Sequence, residues 1–144
     1  MSKVLSEYSD KKIQLNHLQE LFKTLKKLDI EKTDVCIVGS SRMALEGIRK
    51  NNDIDIVLRK EIRDKLFPGA STRLSENIEI VRENWLYSND KISDDIIIDN
   101  NSHHDIFCGF KFVSLELLKH RKRNSLKQKD EDDIMLIEAN ESRN

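Results

Sequence analysis

The sequence predicts a single α/β (α+β) domain: a small mixed β-sheet with helices packed on it. Three observations carry this. Short apolar runs such as Val35-Cys36-Ile37-Val38 and Ile54-Asp55-Ile56-Val57-Leu58 alternate with segments of helical period. The 144 residues show no internal repeat, low-complexity tract or linker, so residues 1–144 read as one domain. A chain of this length buries roughly 68–70% of its unfolded surface, and 38% apolar residues can supply that core.

Taken in order, residues 3–28 read as one or two helices, within an N-terminal helical segment spanning 1–30. Leu15, Leu18, Leu21, Phe22, Leu25 and Leu28 recur at spacings of three and four and make one apolar stripe. Residues 34–38 form the first strand, 41–49 a short helix and 53–58 the second strand. Residues 60–66 form another short helix, ended by Pro68-Gly69. Residues 77–82 form the third strand. Residues 84–95 carry no clear period; Trp85 reads as core in preference to a surface that stacks on a base. Ile96-Ile97-Ile98 reads as a short strand or buried corner, and residues 99–105 as a polar loop. Residues 106–113 alternate as a strand. Ser114 is an N-cap for a helix over 115–124, and Asp130 caps a last helix over 131–139, giving C-terminal helices within 115–140. The expected arrangement puts the helices against one face of the sheet.

Composition narrows function by exclusion. Charged residues make up 35% of the chain, yet the net charge is −1, so no global field favours nucleic acid. No run approaches the ~18 apolar residues of a membrane span, and Met1-Ser2-Lys3-Val4 opens no hydrophobic signal region. Cys36 and Cys108 lie in apolar, strand-like runs and read as buried, reduced thiols. A soluble cytoplasmic protein without a membrane partner is expected.

The densest chemistry lies between the first two strands. Gly39-Ser40 ends the first apolar run, and Asp53-Ile54-Asp55 follows after twelve residues. Residues two apart on a strand share a face, so Asp53 and Asp55 project together. Paired carboxylates suit Mg²⁺, which takes oxygen ligands and substrate phosphates. A Gly-Ser turn opening a helix presents free N–H groups to phosphate. Asp-x-Asp alone also occurs at solvated strand ends; the Gly-Ser turn and flanking apolar strands are what favour a metal-dependent triphosphate site.

This pattern resembles the minimal nucleotidyltransferases of the polymerase beta superfamily, over residues 34–58 and again over 110–137. In the second stretch a Lys-bearing apolar helix, Phe112 to Lys119, precedes Lys129-Asp130-Glu131-Asp132-Asp133-Ile134. The resemblance implies transfer of a nucleoside monophosphate, AMP from ATP, to an acceptor hydroxyl with release of pyrophosphate. It implies that Gly39 and Ser40 contact the triphosphate and that Asp53 and Asp55 hold two Mg²⁺ ions. It also implies a third carboxylate on a later strand. Glu79 in Asn77-Ile78-Glu79-Ile80-Val81 is the candidate, with Asp105 as the fallback.

The N–H groups of Ser40 and Ser41 would receive phosphate oxygens. Arg42 reads equally as a phosphate contact or a surface residue of the short helix. Lys119 reads equally as a phosphate ligand or as one of the cations in Lys119-His120-Arg121-Lys122-Arg123 that complement a helix C-terminus. Lys129, Asp130 and Asp133 read as a structural cap and salt-bridge element. His103-His104-Asp105 reads as a polar turn rather than a metal site, and His17 and His120 as exposed. The acceptor, on a small molecule, a protein or an RNA end, is not written in the sequence. A second copy or a partner protein is expected to complete so small a pocket. The competing expectation is a non-catalytic nucleotide-binding or interaction module that keeps the fold.

Overall fold

The computed structural model describes residues 14–68, 71–125 and 127–142. Helix α1 (Leu18–Lys27) turns Leu21 and Leu25 into the core, while Phe22 at its edge lies under the Lys32 ammonium, 4.8 Å from the ring centroid. The first part of the expected N-terminal helix, residues 3–13, lies outside the described residues.

Six strands follow: β1 (Val35–Val38), β2 (Ile54–Leu58), β3 (Thr72–Ser75), β4 (Ile78–Ile80), β5 (His104–Phe107) and β6 (Phe110–Val113). They form one mixed sheet in the order β3-β4-β2-β1-β6-β5. β1 runs antiparallel to β2 and parallel to β6, and β2 runs parallel to β4. Between β1 and β2 lies only α2 (Ser41–Leu45), shorter than the expected 41–49, because Gly47 adopts φ +75° just past its end. α3 (Lys60–Leu66) stops ahead of Pro68, as expected.

Helices cover both faces of the sheet, not one. Val35, Ile37, Ile54, Ile56, Ile78 and Ile80 pack with Leu21 and Leu25 of α1. Cys36, Val38, Val57 and Val113 pack on the other side with Met43, Ile97, Ile98, Leu118 and Ile137. The unalternated Val-Cys-Ile-Val run is what a strand buried on both faces requires.

Four elements depart from expectation. Ile96-Ile97-Ile98 lies in a helix, α4 (Asp94–Asp99), because the Ser93 side chain accepts from the Ile96 N–H and two acids occupy the first turn. The expected strand over 106–113 is a hairpin: Cys108 and Gly109 take φ +53° and +79° between β5 and β6. That turn leaves Cys108 exposed, while Cys36 is buried. β3 has no counterpart among the expected strands, because an edge strand needs little apolar alternation. Finally, α5 (Leu115–Arg123) has its Ser114 cap on the Leu117 N–H as expected, but α6 (Gln128–Ser142) starts early enough to put Asp130 inside its first turn.

Histidines divide likewise. His104 is buried at the start of β5 with Nδ1 2.9 Å from the Ile97 carbonyl, rather than lying in a polar turn, and burial lowers its pKa. His120 is exposed, with Nε2 2.9 Å from Asp90.

Candidate functional site

The site lies where β1 ends and β2 begins. Gly39 closes β1 with φ +72°, a conformation that an L side chain enters only with strain. A β-carbon at Gly39 would stand 3.7 Å from Asp55 Oδ2, so the turn lies directly against that carboxylate. Ser40 and Ser41 follow, and their N–H groups find no acceptor among the described residues. The Ser41 hydroxyl donates to the Asp53 carbonyl at 3.4 Å, tying the turn to the entrance of β2.

Strand register then sets the carboxylates. Asp55 pairs across the antiparallel ladder with Val38 and across the parallel ladder with Glu79. Neighbouring strands lie ~4.8 Å apart, so Asp55 and Glu79 stand side by side on one face. Asp53 is exposed just before the strand. A polar cavity of about 230 Å³ gathers Ser40, Ser41, Asp53, Asp55 and Glu79. Burial, reinforced by the like charges of Glu79 and Asp53, pushes the Asp55 carboxyl above the ordinary carboxylate range, with Arg73 opposing. Arg73 Nη2 lies 3.8 Å from Glu79 Oε2.

Other expected residues lie elsewhere. Arg42 is not a surface residue and does not line the carboxylate cavity. It is only 3% exposed, and its Nη1 donates to Asp105 at 2.7 Å and its Nη2 to Glu46 at 3.0 Å. That pair engages Asp105, so the fallback carboxylate is held outside the cavity and Glu79 alone of the two lines it. Lys119 pairs with Glu141 at 2.7 Å and lines no cavity with the carboxylates. Trp85 is not core: it is 52% exposed, with the Arg121 guanidinium 5.0 Å from its ring centroid.

Three residues not singled out for the site belong to it. Arg49 Nη2 donates to the Ser40 hydroxyl and to Asp133 Oδ2, both at 2.9 Å. Asp133 is buried and also accepts from Lys122 Nζ at 2.9 Å, so one carboxylate joins the Gly-Ser turn to α5 and α6. Lys122 reaches Asp130 as well, at 3.2 Å, which matches the salt-bridge role expected for Asp130 and Asp133. Lys129, expected as part of that element, instead lines the carboxylate cavity and has no ion-pair partner among the described residues. Asn51 is buried and sets the approach to Asp53. Its Oδ1 accepts from the Asn16 N–H at 2.7 Å, and its Nδ2 donates to the Asn16 and Asp53 carbonyls at 3.0 and 3.1 Å. No local pattern marks Arg49 or Asn51, whose partners lie up to 84 residues away.

No protein-family model, no curated protein and no solved structure matches this chain. Function therefore has to be argued from the site and its chemistry. Among the described residues, no three His, Cys, Asp or Glu side chains converge tightly enough to hold a metal ion by themselves. Mg²⁺ asks for less: one or two carboxylates, with water and substrate phosphate supplying the other oxygens. Asp53, Asp55 and Glu79 around an open polar cavity fit that demand, and the raised Asp55 pKa marks a place where added positive charge is favourable. Among the described residues no helix is long and apolar enough to cross a membrane.

Proposed function

We propose that the chain is a metal-dependent nucleotidyltransferase that moves a nucleoside monophosphate from a triphosphate to an acceptor hydroxyl. One observation carries this reading: Ser40 and Ser41 of the Gly-Ser turn and three carboxylates, from separate parts of the chain, face one cavity. When bound at these carboxylates, two Mg²⁺ ions would neutralise phosphate charge and clamp the entering and leaving oxygens.

The chain's own residues account for the rest. The N–H groups of Ser40 and Ser41 donate to the β- and γ-phosphates, with Arg49 and Lys129 supplying positive charge beside them. Glu79 takes the proton of the acceptor hydroxyl as its oxygen bonds to the α-phosphorus. The bond from that phosphorus to the bridging oxygen breaks, and pyrophosphate leaves. The acceptor side includes a second copy or a partner subunit, a point tested by the dependence of specific activity on protein concentration. The buried thiol of Cys36 fits a reducing, cytoplasmic setting.

A second reading, nucleotide binding without transfer, draws on the absence of a preformed three-ligand group among the described residues. One experiment separates the two. Each ribonucleoside triphosphate, ATP first, is titrated by calorimetry with Mg²⁺ and with chelator, and pyrophosphate release is followed against a panel of hydroxyl acceptors. Mg²⁺-dependent binding with release supports transfer; binding without release under any acceptor supports the second reading. Loss of Mg²⁺-dependent binding in Asp53→Asn/Asp55→Asn assigns it to these carboxylates, and no binding in the wild type rejects both.

A further inference from the structure

The end of α1 breaks two local rules at one residue. Asp29 takes φ +59° there. Its N–H donates to the Lys26 carbonyl at 3.1 Å, and the Ile30 N–H donates to the Leu25 carbonyl at 2.9 Å. This pair of bonds is the helix end that usually places glycine, and sometimes asparagine, in the left-handed position. An aspartate there carries backbone strain, and its charge opposes the partial negative charge of a helix C-terminus. No ion pair within the described residues offsets either cost.

Asp29 lines a cavity of about 420 Å³ beside the segment that leads into β1. That volume lies within the range of small-molecule sites, about 300–1,000 Å³. Phe22, Leu25, Ile30 and Phe110 give it an apolar interior. The charged side chains around that interior are of both signs: Lys26 and Lys32, Asp29 and Glu31. Lys32 is held in place. Its ammonium lies 4.8 Å from the Phe22 ring centroid and 4.7 Å from that of Phe110, and it donates to the Cys108 carbonyl at 3.1 Å. Lys26, Asp29 and Glu31 are exposed and have no ion-pair partner among the described residues.

This mixture discriminates among ligand classes. A wholly apolar ligand would leave both signs of charge unmatched. A simple anion would meet Asp29 and Glu31, and a simple cation would meet Lys26 and Lys32. A zwitterion on an apolar body matches both signs and the interior. The two signs also alternate within one short stretch, Asp29, Glu31 and Lys32, so the ligand's charges must stand close together. An α-amino acid carries both on one carbon. Its ammonium would give Asp29 the partner that the chain does not, which accounts for an aspartate kept where the backbone favours glycine.

We propose that this cavity binds a free α-amino acid with an apolar side chain. Lys32 takes its carboxylate, Asp29 takes its ammonium, and Phe22 and Leu25 pack against its side chain. The proposal stands apart from the transferase reading, because no residue lines both this cavity and the carboxylate cavity.

The test titrates L-leucine, L-isoleucine, L-valine, L-methionine and L-phenylalanine into the protein and follows its backbone amide signals by NMR. Saturable shifts at Asp29, Ile30, Gly109 and Phe110 are expected with at least one of them. Removing either charge of that ligand, in its N-acetyl or its carboxamide form, should weaken binding by about tenfold or more. Asp29→Asn should weaken it as much. Without ligand, the same variant should melt at or above the wild-type temperature, because asparagine suits the left-handed backbone and removes the opposed charge. Lys32→Gln tests the carboxylate contact, with circular dichroism to check that it folds.

Silence from all five amino acids overturns the proposal, as do shifts confined to other parts of the chain. Equal binding of the parent ligand and its charge-stripped forms overturns it too, and makes the cavity a site for apolar molecules. Unchanged affinity in Asp29→Asn has the same force, whether or not Lys32→Gln folds.

Discussion

Strands β2 and β4 have two faces that do opposite things. On one, Ile54, Ile56, Ile78 and Ile80 are fully buried against α1 and the neighbouring strands. On the other, Asp55 and Glu79 stand side by side at the rim of a polar cavity. Alternation along a strand lets adjacent residues serve the core and the chemistry without sharing contacts. The dry face supplies rigidity. The wet end of the other face carries the charge cluster, while Val57 on that same face is buried in the second core.

The strongest challenge to this division is Ile56→Ala. It opens a cavity in the dry face and should cost about 2–5 kcal/mol, read from the denaturation midpoint. A loss below that range would mean that the isoleucine layer does not hold the strands. Next comes the wet face. Asp55→Asn should cut pyrophosphate release by about 10²-fold or more while the circular dichroism spectrum stays unchanged; loss of fold would give Asp55 a structural role and erase the contrast. Arg49→Ala comes third. It releases the Ser40 hydroxyl and leaves Asp133 with Lys122, so activity should drop by about tenfold with a stability loss of about 1 kcal/mol. Equal damage to Asp133→Asn and Arg49→Ala in activity would sharpen the view that the tie acts through Ser40.

The smallest effect concerns pH. Asp55 titrates higher in the folded than in the unfolded chain, because burial and its acidic neighbours disfavour the charge. Its contribution to stability is therefore fully present below its unfolded value and is lost as pH rises through the folded one. Asp55→Asn should melt above the wild type at neutral pH in chelator, with the difference closing in acid. Mg²⁺ with triphosphate should raise the melting temperature of the wild type alone. A variant that melts lower at neutral pH would reverse the sign and deny the charge cluster its cost.

Sequence alone made the sheet's centre legible. Val35–Val38 and Ile54–Leu58 are apolar runs with sharp polar borders, and the period-2 rule places Asp53 and Asp55 together before any coordinates exist. Glu79 stands out as one acid in an alternating run. The misreadings have local causes. Ile96–Ile98 is β-branched, yet Ser93 and the acids after it start a helix, and the cap outweighs propensity. Cys108 is not an ordinary turn residue, so the hairpin is hidden inside one alternating run. Arg42 and Arg49 could not be assigned because their partners, Asp105 and Asp133, are distant in the chain. Long-range ion pairs leave no periodic trace.

Asn51 has a consequence for how the protein ages. Its amide donates to two carbonyls while accepting from one N–H. Deamidation would exchange the donor for a second acceptor, setting a negative charge against both carbonyls and next to Asp53. The aspartate product is almost isosteric with Asn51, yet it would loosen the link to Asn16 and shift the entrance of β2. Stored protein would then lose the proposed metal-dependent function while its sheet stayed folded, and a charge-resolved separation would detect the cause before any assay of folding did.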